Sequence, residues 1–98
     1  MLTPGRNGTP GNFQSVGELI HFVATWAKPV CGSHRAEVAA AAQRLGFSIH
    51  ESDIDAEPDL RQEYGVLNVP AVALRGDPGS LIVGAVGAQE LVTRLSDG

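Results

Sequence analysis

The sequence holds very few of the residues on which many sites are built. It has one cysteine, Cys31, and one lysine, Lys28, among 98 residues. A single cysteine excludes a disulfide within the chain and any single-chain zinc site made of several thiolates. Aromatic residues make up only 5% of the chain. The apolar runs are too short to span a bilayer, so we expect no membrane partner.

Positive charge is also scarce. Seven Lys and Arg residues stand against eleven Asp and Glu, which gives a formal net charge of −4. This balance argues against a nucleic-acid partner. A hydrophobic fraction of 43% with 18% charged residues is typical of a globular chain. Because residues 1–12 have no apolar core behind a basic start, we expect no secretory signal and a reducing, cytoplasmic location.

The chain divides into a short arm and one domain. Residues 1–12 are rich in Gly and Pro and show no apolar period, which predicts a flexible N-terminal arm. No internal repeat or second linker follows, so residues 13–98 are predicted to form one domain. Hydrophobic periodicity and turn residues predict strand 19–25, loop 26–32, helix 33–45, strand 47–54, helix 55–64, strand 71–74, turn 76–79, strand 81–86 and helix 88–95.

The predicted element order is β-α-β-α-β-β-α. The first two strands are joined through a helix, so they should be parallel by a right-handed crossover. The last two strands form a hairpin and should be antiparallel. The sequence therefore predicts an α/β fold with a mixed four-stranded sheet and helices on both faces.

Cys31 is the main candidate for chemistry. It lies between the carboxyl end of the first strand and the start of a helix, where sites in open α/β sheets collect. Free N–H groups and the partial positive charge of a helix start favour a thiolate. Lys28 and Arg35 add positive charge, and no acidic residue lies between Glu18 and Glu37. We interpret Cys31 as a reactive thiol rather than an inert buried cysteine.

Two histidines are secondary candidates. His34 follows Cys31 by three residues, so the two share a helix face, and a largely neutral imidazole there could bond the thiolate or move a proton. The alternative is a His34 side chain that faces solvent. His21 is interpreted as a satisfied core histidine, with a proton relay as the alternative. Cys31 and His34 supply only two ligands, so no metal site is predicted within one chain, although a dimer could share one.

The stretch 26–34, W-A-K-P-V-C-G-S-H, resembles the K-P-x-C-x-x-C loop of glutaredoxins and glutaredoxin-like thioredoxins, members of the thioredoxin superfamily. Lys28, Pro29 and Cys31 match that loop directly. Downstream, the segment ending in Val69-Pro70 resembles the stretch that leads to the family's cis-proline. The resemblance covers roughly residues 18–96.

The resemblance implies a thioredoxin-like fold and a thiol–disulfide oxidoreductase with Cys31, His34 and Lys28 as its catalytic residues. Because His34 stands where dithiol members have a second cysteine, exchange would pass through mixed disulfides with an outside thiol. That thiol would be a small co-substrate. Monothiol glutaredoxins carry C-G-F-S where this chain has C-G-S-H, and this mismatch argues against an iron–sulfur cluster.

The resemblance also implies where a protein disulfide substrate would bind. Val69 and Pro70 would present backbone groups to an extended segment. Trp26 would either shield the site or serve as an ordinary core or surface aromatic.

Two alternatives remain open. The stretch F-V-A-T-W also resembles the thioredoxin strand that runs into C-G-P-C, and that alignment places Ala27 and Val30 at the two cysteine positions. The domain could then be a non-catalytic module that binds a partner protein. A monomer is expected, with a dimer as the alternative.

Overall fold

The structure is a computed structural model that describes residues 17–96. The predicted arm, residues 1–12, and the outermost residues of the predicted domain lie outside this range. The elements in chain order are β1 (Glu18–Val23), a 3-10 turn (Thr25–Ala27), α1 (Lys28–Leu45), β2 (Ser48–Asp53), α2 (Pro58–Tyr64), β3 (Ala71–Leu74), β4 (Asp77–Val83) and α3 (Ala88–Ser96).

The four strands form one mixed sheet in the order β2-β1-β3-β4. β1 and β2 are parallel, whereas β3 is antiparallel to both β1 and β4. The predicted fold class, the parallel pairing of the first two strands and the antiparallel hairpin are therefore confirmed.

Each face of the sheet carries its own apolar core. Leu19 on β1 packs with Val38 of α1 and Leu91 of α3 on one face. Phe22 packs with Tyr64 of α2 on the other face. The alternation of side chains along β1 supplies both cores, which is why this strand is almost continuously apolar.

Helix α1 begins earlier than predicted. It starts at Lys28 rather than Ser33, with Pro29 in its first turn. The Pro29 and Gly32 positions were interpreted as loop, which is wrong. A proline in the first turn loses no hydrogen bond, because the N–H groups there have no partner within the helix. Gly46 ends the helix with a φ of 74°, as predicted.

Helix α2 begins later than predicted, at Pro58 rather than Asp55. Asp55 lies instead in a turn that precedes the helix. In that turn the Asp53 carboxylate accepts a hydrogen bond from the Asp55 N–H at 2.8 Å. The Asp53 carbonyl also accepts hydrogen bonds from the N–H groups of Ala56 and Glu57.

The last hairpin turns at Arg75-Gly76 rather than across residues 76–79. Gly76 has a φ of 87°, which favours glycine in such a tight turn. Pro78 and Gly79 therefore lie within β4, which begins at Asp77 and ends at Val83. β4 is an edge strand, the one place in a sheet where a proline is tolerated.

Candidate functional site

Cys31 lies in the first turns of α1, on the helix face that packs against the sheet. It is a free thiol with only 3% of its surface exposed. The prediction that it lies at the junction of loop and helix is wrong, because the helix already begins at Lys28. Ala27 occupies the N-cap position, so the start of the helix carries no thiol.

A cavity of about 450 Å³ opens between the end of β1, the start of α1 and the end of β2. Cys31 forms part of its wall, with Thr25 and Ser33. Four charged side chains also line it: Lys28, Arg35, Glu51 and Asp53. The cavity therefore combines one thiol, two cations and two carboxylates, and a small polar molecule could reach the thiol through it.

Glu51 and Arg35 form an ion pair at the rim of this cavity. The Arg35 Nε donates to Glu51 Oε2 at 2.7 Å. This hydrogen bond and the charge of Glu51 raise the pKa of Arg35, and the charge of Cys31 adds to the effect. The charge of Arg35 is therefore paired mainly with Glu51, at the rim of the cavity that Cys31 lines.

His34 is buried and holds both ring nitrogens in hydrogen bonds. Its Nε2 donates to the Val86 carbonyl at 2.8 Å, and its Nδ1 lies 3.2 Å from His21 Nε2. The alternative of a solvent-facing ring is wrong, since only 2% of His34 is exposed. Within residues 17–96, none of the hydrogen bonds found joins His34 to Cys31. The ring instead links α1 to β1 and to the loop before α3.

The His21 ring lies beneath the site and is also buried. The Val86 carbonyl can only accept, so His34 Nε2 carries a hydrogen, and the tautomer that satisfies the second contact has His21 Nε2–H donating to His34 Nδ1. Burial lowers the pKa of His21 to about 4, the charge of His34 lowers it further, and Glu51, 3.8 Å away, partly opposes the shift. His21 is therefore neutral near pH 7. Its interpretation as a satisfied core histidine is confirmed.

The three residues predicted to bind substrate are not among those that line the cavity. Trp26, in the 3-10 turn, is 68% exposed, so it is a surface aromatic and not a core residue. Val69 and Pro70 precede β3, and the peptide bond between them is cis. β3 lies on the opposite side of β1 from β2, whereas the cavity uses residues of β2.

Glu51 and Asp53 are the site residues that sequence reasoning missed. Neither was selected from the sequence as a site residue, yet both line the cavity. The parallel register pairs His21 with Glu51, and this pairing brings the carboxylate to the site. Alternation along β2 could have placed Glu51 on the α1 face, but its meeting with Arg35 depends on the register between distant segments.

Metal binding finds no support in the side-chain geometry of the described residues. Across residues 17–96, no three His, Cys, Asp or Glu side chains are grouped so that they could hold a metal ion. In the same part of the chain, no helix is long and apolar enough to cross a membrane.

The relatives of this chain are bacterial thioredoxins. No family model matches the sequence. Over 82 residues the chain is 34% identical to the bifunctional thioredoxin reductase/thioredoxin of Mycobacterium leprae, covering 81% of this chain but only 18% of that protein. It is 33% identical to the thioredoxin of Mycolicibacterium smegmatis, covering 81% of this chain and 75% of the relative. The chain belongs to the thioredoxin family.

Solved thioredoxins show the same fold. Mitochondrial thioredoxin 3 from Saccharomyces cerevisiae, in its oxidised form, superposes with a TM-score of 0.68 at 26% identity, covering 84% of this chain and 78% of that one. Thioredoxin-2 of a malaria parasite superposes with a TM-score of 0.67 at 16% identity, covering 89% and 87%. This thioredoxin-family chain thus keeps the fold, and its family points to thiol–disulfide chemistry.

Proposed function

We propose that this protein is a monothiol thiol–disulfide oxidoreductase in which Cys31 forms mixed disulfides. The observation that carries the proposal is the position of Cys31 in the wall of a cavity that also holds Lys28 and Arg35. Positive charge near a thiol favours the thiolate, which is the nucleophile in exchange. A cytoplasmic, reducing location would keep this single thiol free.

The proposed reaction has two balanced exchange steps. The Cys31 thiolate attacks a disulfide R–S–S–R′, a Cys31–S–S–R bond forms, and R′ leaves as a thiolate. The thiolate of a small thiol then attacks the R sulfur of the mixed disulfide. A disulfide between R and the small thiol forms, and Cys31 leaves as a thiolate. The chain has no second cysteine, so the outside thiol performs the step that a resolving cysteine performs elsewhere.

The remaining predicted residues have supporting roles in this proposal. Lys28 stabilises the thiolate from the helix start. His34 acts as a positioning residue, because its bonds to His21 and Val86 hold the turn of α1 that follows Cys31. Trp26 and Val69-Pro70 would bind the protein part of a substrate. No cofactor and no iron–sulfur cluster are part of the proposed cycle.

Intact-mass measurement tests the first exchange step. We expect glutathione disulfide to add one glutathione to the full chain, reduced glutathione to remove it, and Cys31→Ser to take up none. Lys28→Gln should slow the addition about two- to five-fold, as expected for one partly screened charge. Arg44→Gln, at the far end of α1, should leave the rate unchanged. A wild-type chain that takes up no glutathione would contradict the proposal.

A second candidate function is a non-catalytic module that binds a partner protein. It is favoured by the burial of Cys31 and by Ala27 at the helix start, since that position holds no exposed thiol. If this function is the real one, Cys31→Ser keeps full partner binding and full cellular activity. Loss of activity in Cys31→Ser, with unchanged stability, would exclude it.

A further inference from the structure

The edge strand β2 offers a row of outward backbone groups that neither the sheet nor the thiol site uses. It pairs with β1 on one side only. Within the described range, 17–96, no strand pairs with its other side. Unpaired edge strands are templates for pairing with another chain, and globular proteins usually protect them.

Two hydrogen bonds show which backbone groups of β2 are already used. The Ser48 N–H donates to the Gly17 carbonyl at 3.2 Å, and the Ile54 N–H donates to the Val23 carbonyl at 3.0 Å. Successive residues of a strand direct these groups to opposite sides. The even-numbered residues 48–54 therefore bond β1, and the odd-numbered residues of β2 point away from the sheet.

Among residues 17–96, the outward set reduces to two residues whose backbone groups have no partner. Ile49, Glu51 and Asp53 point outward, but the Asp53 carbonyl accepts the N–H groups of Ala56 and Glu57 in the following turn. Ile49 and Glu51 therefore each present one N–H and one carbonyl to the outside. Both side chains lie on the α1 face, because they pair with Leu19 and His21 of β1.

These two residues are symmetric about His50. In an antiparallel pair centred on His50, Ile49 of one copy faces Glu51 of the second, and Glu51 faces Ile49. Both are hydrogen-bonded positions, so two copies form four N–H···O bonds and use every outward group of Ile49 and Glu51. A two-fold axis through the sheet at His50 generates this register without changing either fold.

Charge and shape beside the edge fit the same register. A groove of about 230 Å³ lies between α1 and β2, with Ile49 at 38% exposure on its wall. Arg35 and Glu51 line the same groove. The two-fold axis brings the two Arg35–Glu51 pairs near each other, and each Glu51 carboxylate is already paired with the Arg35 of its own chain, so the two copies meet as ion pairs rather than as bare carboxylates. Salt screens the longer-range repulsion between the −4 net charges of the two chains.

We propose that β2 is a dimerisation edge, at which a second copy of this chain adds antiparallel about His50 and joins the two sheets into one. The proposal does not depend on the thiol chemistry of Cys31, because it uses only the backbone of β2 and the side chains beside it. From the sequence we expected a monomer, with a dimer as the alternative, and this proposal adopts the dimer.

Disulfide trapping tests the register. Residues 50 of the two copies would form a non-hydrogen-bonded antiparallel pair with Cα atoms about 4.5 Å apart, within disulfide range. The full chain with Cys31→Ser and His50→Cys should therefore oxidise to a covalent dimer. The matched control is Cys31→Ser with Val83→Cys, an exposed position on the opposite edge strand. We expect His50→Cys to cross-link at least tenfold faster than Val83→Cys, and equal rates or no cross-link would overturn the register.

Light scattering and hydrogen exchange test the unmodified protein. We expect twice the chain mass at high concentration, with amide protection at Ile49 and Glu51 that rises with concentration. Ile49→Pro removes an outward N–H without touching a bond to β1, so it should abolish the dimer, whereas Val83→Pro should keep it. A monomer with these amides protected would mean that the chain's own remaining residues cover the edge. A monomer with them unprotected would leave the edge open to other proteins. Either result overturns the proposal.

Discussion

The chemistry of the site depends on which charged side chains line the cavity with the thiol and on what each of them contacts. Lys28 and Cys31 could be selected from the sequence because each is the single residue of its type. The hydrogen-bond partners of His34 could not be predicted from the sequence, because they are His21 on β1 and Val86 before α3. Such contacts depend on long-range packing, which a local pattern does not encode.

The buried pair of histidines predicts an acid-sensitive fold. The pKa of His21 is lowered to about 4, mainly by burial, from an ordinary value of 6.5. Between these values the unfolded chain binds a proton that the folded chain does not, so stability is full above pH 6.5 and falls as the pH drops toward 4. The loss is up to about 3 kcal/mol, from 1.36 kcal/mol per pH unit.

Urea unfolding at a series of pH values measures this loss. His21→Gln keeps a donor for His34 but removes the titration, so its free energy of unfolding should depend less on pH than that of the wild type. Identical slopes for His21→Gln and the wild type would show that His21 does not cause the acid sensitivity.

Element boundaries could be predicted where a single residue type determines them. Gly46 and Gly65 end their helices in the left-handed region, and β3 occupies the predicted residues. Helix starts were harder to predict. Proline is common both in loops and in the first turn of a helix, so Pro29 alone does not show where α1 begins. The turn after Asp53 moves the start of α2 from residue 55 to Pro58.

Two glycines of α1 should respond in opposite directions to the same substitution. Gly46 has a φ of 74°, so Gly46→Ala should lower the free energy of unfolding by about 1 kcal/mol. Gly32 is inside the helix, and a methyl group added there meets nothing within 4 Å. Gly32→Ala should therefore raise stability by about 0.5–1 kcal/mol. Thermal or urea unfolding checks both, and a shift of the same sign in the two variants would contradict the assigned helix boundaries.

The whole molecule is a thioredoxin-family fold in which the α1 start carries Ala27 and Lys28, and the one thiol lies inside the helix. Fold class was predictable because hydrophobic alternation, one crossover and one hairpin leave few topologies. The cavity was not, because it forms only when β1, α1 and β2 come together and bring Glu51 and Asp53 to Cys31.

The central claim is that folding makes Cys31 a reactive thiol. The most direct measurement is the rate constant for mixed-disulfide formation between Cys31 and glutathione disulfide, in the folded chain and in the chain unfolded by concentrated urea at the same pH. If the cavity and its cations activate the thiol, the folded chain reacts at least tenfold faster than the unfolded chain. If the folded chain reacts more slowly, as an inert buried cysteine would, the claim is contradicted.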